Sequence, residues 1–375
     1  GDTVTISIKI ANRSKLPIAW VLVEDLLPPK ALMTDPPSLD VQGERIQLMR
    51  VRGHQQKTIR YRMVCNRRGY FQIGPLVLET GDLFGLHRRY RVMNEPNFLL
   101  VYPQIVPLEG YEIASRRPIG EVTMSYRLFE DPTRIAGVRR YEAGDPLNRI
   151  HWRATARTAK LHSKVYEPST VSGATILLDF HKYGYDARNE PYRSELAITT
   201  AASISHALYQ VGQQVGLFTN GRDAADRIRT EGWDQDPRTR ESAHQAASMH
   251  GESDRLRPIV LETQRGPEQF MNILETLARL ELTDGLDVAG LVMETMSRMA
   301  RDASVIAILS AVSPSSAVAL GTLRRQGFSV TAMLSCYDEM DYARMSGPLL
   351  AEGIETRHLK DESVIATICR KFVLR

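Results

Sequence analysis

The run Ala174-Thr175-Ile176-Leu177-Leu178-Asp179 restricts the fold of this chain more than any other stretch. A strand with one wet face alternates apolar and polar residues. This one is apolar almost throughout and ends in an acid, which suits a central parallel strand buried on both faces. The residues downstream fit that role. Ser194–Val211 is rich in Ala, Ile, Leu and Ser at helical spacing, and Gln214–Thr219 reads as the next strand. Strand, helix, strand is the unit of a parallel α/β sheet. Gly221–Pro258 breaks the rhythm with mixed charges around Trp233 and reads as an insertion, helical over Thr239–Met249. The alternation then resumes. Helices are predicted at Pro267–Leu280, Leu286–Met299, Ser315–Gln326, Asp338–Leu350 and from Glu362, with strands at Ser304–Leu309, Ser329–Leu334 and Gly353–His358. Residues 171–375 thus read as a doubly wound parallel sheet carrying an insertion at 221–258.

Residues 1–107 have another texture. Short alternating or apolar runs at Val4–Ile10, Ile18–Leu22, Arg45–Val51, Lys57–Cys65, Gly69–Ile73, Leu76–Glu79 and Phe98–Tyr102 are punctuated by Pro-Pro, Arg-Gly and Gly-Pro, at the spacing of a β-sandwich. No helical periodicity interrupts them. A strand is already under way at Val4 without an initiator methionine, so the expectation is a piece of a longer protein, with the first strand of the β-sandwich missing.

At 375 residues the chain is long enough for two or three domains. Its formal charge of +4 nominates no polyanionic partner in bulk. Cys65, Cys336 and Cys369 are isolated and far apart, which suits a reducing compartment and suggests neither a disulfide framework nor a thiolate metal site. The longest mainly apolar runs, such as Ala303–Val312, are half of the ~20 residues needed to span a bilayer.

Ligands of open parallel sheets approach the carboxyl ends of the strands. Three such ends draw notice: Asp179-Phe180-His181-Lys182-Tyr183, Asn220, and Ser310-Ala311-Val312-Ser313. A domain whose first strand ends in Asp resembles the von Willebrand factor A fold. The metal site of that fold takes an Asp-x-Ser-x-Ser loop, a Thr and a second Asp, oxygen donors suited to Mg²⁺. Here Asp179 is present, but His181 and Tyr183 replace the serines and Ser310-Ala311 stands where the later Asp is expected, so the site reads as degenerate and no metal or other cofactor is expected. Asp179 and His181 could in principle serve as acid and base. A capping carboxylate and a solvated loop histidine explain them as well. The chain contains no phosphate loop, no dinucleotide-binding glycine motif, no H-E-x-x-H and no nucleophile elbow, and the reading is non-enzymatic.

Residues 108–170 form a connecting segment dense in arginine. Arg134, Arg139, Arg140, Arg149, Arg153, Arg157, Lys160 and Lys164 face only Glu142 and Asp145, with Tyr141 and Trp152 interleaved. Two readings stay open. The arginines could pair with nearby acids and clip the segment onto a neighbouring domain, with Trp152 as apolar anchor and Asp145 capping a helix over Leu147–Thr158. Alternatively segment 134–164 could bind nucleic acid or another polyanion by phosphate contacts and stacking.

In this segment Gly137-Val138-Arg139-x-Tyr141-x-x-Gly144-Asp145-x-x-x-x-Ile150-x-Trp152-x-x-x-Ala156-Arg157, followed by a strand ending in Asp, resembles the signature of domain-of-unknown-function family 58. Asn12-x-Ser14-x-Leu16-Pro17, Arg68-Gly69-x-Phe71-x-Ile73-Gly74-Pro75 and Gly81-Asp82-x-Phe84-Gly85-Leu86 are similar to the β-rich region of that family. His151 departs from it, standing where the family usually has Asp. The resemblance implies two membrane helices ahead of the β-rich region, a cytoplasmic soluble part, and association with a MoxR-type AAA+ ATPase and a transglutaminase-like membrane protein. It also implies an adaptor role in assembly or maturation, with no established enzymatic activity. On this reading a protein partner meets the strand-end loops through Asp179, Phe180, His181, Tyr183 and Ser313, together with the 221–258 insertion.

Overall fold

A computed structural model describes residues 1–82, 87–93, 96–108, 129–140, 150–158, 160–169, 173–186, 188–231, 256–300 and 303–368. The alternation read near the start of the chain becomes antiparallel sheet. The strands are β1 (Thr3–Ala11), β2 (Ile18–Asp25), β3 (Leu39–Gln42), β4 (Ile46–Val51), β5 (Gln56–Cys65), β6 (Gly69–Ile73), β7 (Leu76–Gly81), β8 (Arg88–Val92) and β9 (Asn97–Val101). They form sheets ordered β1-β5-β3, β4-β2-β7-β8 and β6-β9. Period-2 alternation aims Ile8, Ile10 and Ile59 of one sheet at Val21, Val23 and Val51 of another, and Val4, Ile6 and Met63 at Phe71 and Leu99 of the third. Three stretches depart from expectation. β3 and β8 are too polar to stand out as strands, and α1 (Pro29–Met33) is a short helix in a region read as wholly β. Pro29 starts it, because proline fixes the backbone for a first helical turn and loses no hydrogen bond there.

The arginine-rich segment contributes a ribbon in which β10 (Phe129–Arg140) pairs antiparallel with β11 (His162–Ser169). Between them lies α2 (Trp152–Thr158), which starts later than predicted. His151 opens this helix: its Nδ1 accepts the Ala154 N–H at 3.0 Å, the task expected of an acidic cap. Asp145, assigned that task from the sequence, lies outside the described residues.

The remaining strands are β12 (Gly173–Leu178), β13 (Gln214–Thr219), β14 (Arg222–Asp223), β15 (Ile259–Gln264), β16 (Leu280–Glu281), β17 (Ala303–Leu309), β18 (Val330–Ser335) and β19 (Glu355–Leu359). Six of them make one mixed sheet, ordered β15-β13-β12-β17-β18-β19. Counted by appearance within the sheet the order is 3-2-1-4-5-6, the doubly wound arrangement, and every residue of β12 is buried at its centre. One expectation is corrected: the sheet is not wholly parallel, because β15 runs antiparallel to β13 at the edge. Its half-exposed IVLETQ pattern is what an edge strand can tolerate, and the polar residues Glu262, Thr263 and Gln264 hid it in the sequence.

Helices α3 (Tyr192–Gln210), α5 (Pro267–Arg279) and α9 (Glu362–Ile368) cover one face, where Leu196, Ile198, Ile273 and Ile365 meet Ile176, Leu178 and Met333. Helices α6 (Val288–Thr295), α7 (Pro314–Arg325) and α8 (Glu339–Ala351) cover the other, where Leu291, Leu320 and Leu349 meet Leu177, Ala307 and Leu334. Helix α4 (Ala224–Glu231) and strand β14 begin the stretch read as an insertion, so its first residues are ordered secondary structure. The predicted helix at Thr239–Met249 lies outside the described residues.

The β-rich part touches the mixed sheet at defined points. Ile105, Val106 and Leu108 pack into the layer around α3, and the Val106 N–H donates to Ser203 Oγ at 2.9 Å. Arg68, at the β5–β6 turn, reaches the carboxyl end of α5, donating through Nη1 to Leu277 O and Leu280 O at 2.8 Å each.

Candidate functional site

Asp179 follows β12 directly, so the buried strand carries a carboxylate to the sheet's carboxyl edge at the point where strand order reverses. The side chain is almost fully covered, at 3% exposure. Its Oδ1 accepts the Asn220 Nδ2 amide at 3.0 Å and the His181 N–H at 3.2 Å, while Oδ2 accepts Ser310 Oγ–H at 3.2 Å. All three strand ends singled out from the sequence therefore converge on this one carboxylate. Burial pushes the Asp179 carboxyl above the usual carboxylate range, against the hydrogen bonds from Asn220, His181 and Ser310, which pull it down.

Asn220 is the hub. While Nδ2 serves Asp179, it also donates to Leu286 O at 2.8 Å, and Oδ1 accepts the Phe180 N–H at 2.6 Å. Phe180 O and the Lys182 N–H pair with the backbone of Thr283, at 3.2 and 2.7 Å, stitching the loop to the chain after α5. Tyr185 OH donates to Asp179 O at 2.8 Å, and its ring meets Phe180 edge-on. Burial, with Asp179 and Glu190 nearby, holds the Tyr185 phenol well above its usual range.

The cation site that the von Willebrand factor A resemblance places here can be tested on its donors. Both Asp179 oxygens already accept N–H or O–H groups, and Asn220 turns its amide N–H, not its carbonyl, toward the carboxylate. Gly184 approaches Ser310 so closely that a Cβ on it would collide with Ser310 Oγ. Ala311 offers no donor, and His181 and Tyr183 stand at the loop's serine positions. These residues do not fit a divalent ion, since Asp179 is the one carboxylate among them and the loop's two serine oxygens and the later Asp are missing. Among the described residues no group of three His, Cys, Asp or Glu side chains comes together to hold a metal.

The predicted partner contacts divide. Asp179 and Phe180 are buried and support the loop from beneath. Tyr183 is 81% exposed beside His181 and Lys182, and Ala311 and Ser313, in the loop after β17, are exposed. Ser313 also caps α7 by accepting the Ser316 N–H at 3.1 Å. Of the proposed clip, Tyr141, Gly144, Asp145 and Arg149 lie outside the described residues, and Arg139 is described only as part of β10. Among the described residues Trp152 is 69% exposed and Arg157 is exposed.

The interdomain contact that sequence reasoning missed is Arg68. Its side chain is 7% exposed, its Nε lies 3.2 Å from Glu195 Oε2, and its guanidinium carbon is 5.6 Å from the Phe180 ring centre. One buried cation thus joins the β5–β6 turn, the end of α5, α3 and the Asp179 loop. The only sequence signal was an arginine before a turn glycine.

No helix among the described residues is long and apolar enough to cross a membrane. The chain is similar to the uncharacterized protein YeaD of Bacillus subtilis (strain 168), at 24% identity over 225 residues. The match takes in 60% of this chain and 53% of that protein, so the chain spans about half the length of its curated relative. Among solved structures, two crystal forms of proximal thread matrix protein 1 from the mussel byssus align over 54% of the chain and 46–47% of theirs, at 9–10% identity. The TM-scores of 0.33 and 0.32 are too low to carry a statement about fold. Residues 137–238 match the model of the family described as "Protein of unknown function DUF58", and the chain contains a domain of that family.

Proposed function

We propose that this chain is a non-enzymatic protein-binding module. In the whole protein it would serve as a membrane-anchored adaptor that works with a MoxR-type AAA+ ATPase, and with a transglutaminase-like membrane protein, in assembling or maturing a client complex. The observation that carries the reading is the state of Asp179. A general base needs a free lone pair, and a metal ligand needs one turned to an open position. This carboxylate is buried and already accepts from Asn220, His181 and Ser310, so it turns no lone pair to an open position and acts as a clamp that fixes the strand-end loops. What the clamp presents is an exposed tyrosine, Tyr183, beside His181 and Lys182. Rigid aromatics on fixed loops are favoured binding anchors. The strand order and the acid ending the first strand support a von Willebrand factor A-like reading of residues 171–375, with residues 1–107 as a separate β-sandwich. The partner's identity and the membrane anchor rest on family resemblance.

The test is capture of the MoxR-type ATPase from the same genome on immobilised chain, with wild type and Tyr183→Ala compared. Capture weakened about tenfold or more by Tyr183→Ala fits an anchor. Failure to retain the ATPase, or retention indifferent to Tyr183→Ala, counts against the reading.

A second reading gains from Trp152. An exposed indole beside exposed Arg153, Arg157 and Lys160 is the arrangement of a stacking, phosphate-contacting surface. Binding to single-stranded nucleic acid that falls steeply with salt, and falls further in Trp152→Ala, would favour polyanion binding over protein capture.

A further inference from the structure

Arg193, the second residue of α3, is 4% exposed. Its Nη1 donates to Leu359 O at 3.2 Å and Lys360 O at 2.9 Å, at the carboxyl end of β19. The guanidinium carbon lies 4.8 Å from the ring centre of Tyr337 and 5.9 Å from that of Tyr192. Among the described residues no carboxylate pairs with it, and its Nη2 has no hydrogen-bond partner.

A second unsatisfied donor stands at the same place. Ser335 ends β18, lies opposite Leu359 in the ladder, and has a buried Oγ without a partner. Met333, two residues earlier, packs into the layer that contains α3, so Ser335 faces that layer too. Both donors therefore border Leu359 on one side of the sheet, at the edge where ligands of doubly wound sheets bind. A buried polar group left unpaired costs about 1–3 kcal/mol, more when charged. Two at one strand end point to a ligand that supplies acceptors.

We infer that Arg193 and Ser335 form a receptor for a single carboxylate, supplied by a protein partner as an Asp or Glu side chain or as a chain terminus, with Tyr337 and Tyr192 as its aromatic walls. A guanidinium edge and a hydroxyl match the two oxygens of a carboxylate. Tyr337 is 60% exposed, so its ring forms the rim rather than a seal. The ligand carries one charge rather than two because exposed Asp338 and Glu339 follow Tyr337 in the chain and raise the cost of a dianion. This assignment rests on the protein-binding reading and narrows it to a second contact point, on the α3 side of the strand-end edge.

The probes are acetyl-Gly-Asp-Gly-amide, acetyl-Gly-Gly-Gly with a free terminus, and acetyl-Gly-Asn-Gly-amide as the uncharged control. They are titrated into the ¹⁵N-labelled chain while the Arg193 side-chain and Tyr337 backbone signals are followed. Saturable shifts with the Asp peptide assign the site to side chains, and shifts with the free acid alone assign it to termini. The Asn peptide should produce neither. Ser335→Ala, which keeps the fold and the arginine, should weaken binding by about tenfold or more, the loss of one hydrogen bond to a charged group. Asp338→Asn should tighten it, and Arg193→Gln should abolish it. Equal shifts from the Asp and Asn peptides, no saturable shift at all, or an affinity unmoved by Ser335→Ala overturns the assignment. Capture of the ATPase can succeed while these titrations fail, so the two readings stand or fall separately.

Discussion

Arg68→Ala removes a cation on which four parts of the molecule meet. Two hydrogen bonds at 2.8 Å end on Leu277 O and Leu280 O, carbonyls that the end of α5 leaves without helical partners. Hydrogen bonds from a charged donor contribute about 1.5–3 kcal/mol each, and a cation at a helix carboxyl terminus adds about 0.3–1 kcal/mol. The Glu195 contact at 3.2 Å has a partner that is 31% exposed, so solvent screens it and it adds at most about 1 kcal/mol. Water entering the vacated space recovers part of the loss. The expected destabilisation is about 3–5 kcal/mol. Urea unfolding, followed by tryptophan fluorescence and by amide exchange in α5, measures it. The truncation should shift the midpoint, and protection should fall first at the end of α5 and in the Phe180–Lys182 loop. Arg68→Lys keeps the charge without the planar fork and should lose roughly half as much. In a double-mutant cycle with Glu195→Gln the coupling should stay below about 1 kcal/mol, which would place most of the effect on the carbonyls. A loss below about 1 kcal/mol for Arg68→Ala, or unaltered protection in α5, would refute the reasoning.

Raised by burial, the Asp179 carboxyl binds its proton more tightly in the folded chain than in the unfolded one, so its contribution to stability is complete below the ordinary value of 3.8 and is lost as pH climbs through the raised folded value. Unfolding free energies of wild type and Asp179→Asn, compared across that window, should therefore differ by an amount that varies with pH, and a pH-independent difference would refute the shift. Gly184→Ala drives a methyl into Ser310 Oγ and should cost about 1–3 kcal/mol by thermal denaturation, with partial rescue by Ser310→Ala. Trp152→Ala should leave stability within about 0.5 kcal/mol, because the indole is mostly in solvent; a loss above about 2 kcal/mol would mark Trp152 as an anchor.

How much the sequence revealed depends on where each residue's information lies. β12, β13 and β17 were legible because strands buried on both faces must be apolar throughout, and runs of six or seven such residues are too short for a core helix. β15 was not, because an edge strand keeps one side and one face in solvent, and Glu262 there is an ordinary choice. Asp179 was found because an acid closing an apolar run is conspicuous, but position at a strand end says that a carboxylate is present, not which hydrogens it faces. That depends on Asn220 and Ser310, whose amide and hydroxyl can donate or accept equally well until the loops set their orientation. Arg68 and Arg193 show the limit most clearly. Each is one arginine among many in the sequence, and each matters because folding brings it against carbonyls 209 and 166 residues away. Periodicity encodes which face a residue takes, whereas its partner across the core is a property of the assembled layers. The parts of this molecule that bear on binding are of that second kind, which is why a signature as specific as Gly137–Arg157 marks the family while the contacts that define the site lie elsewhere.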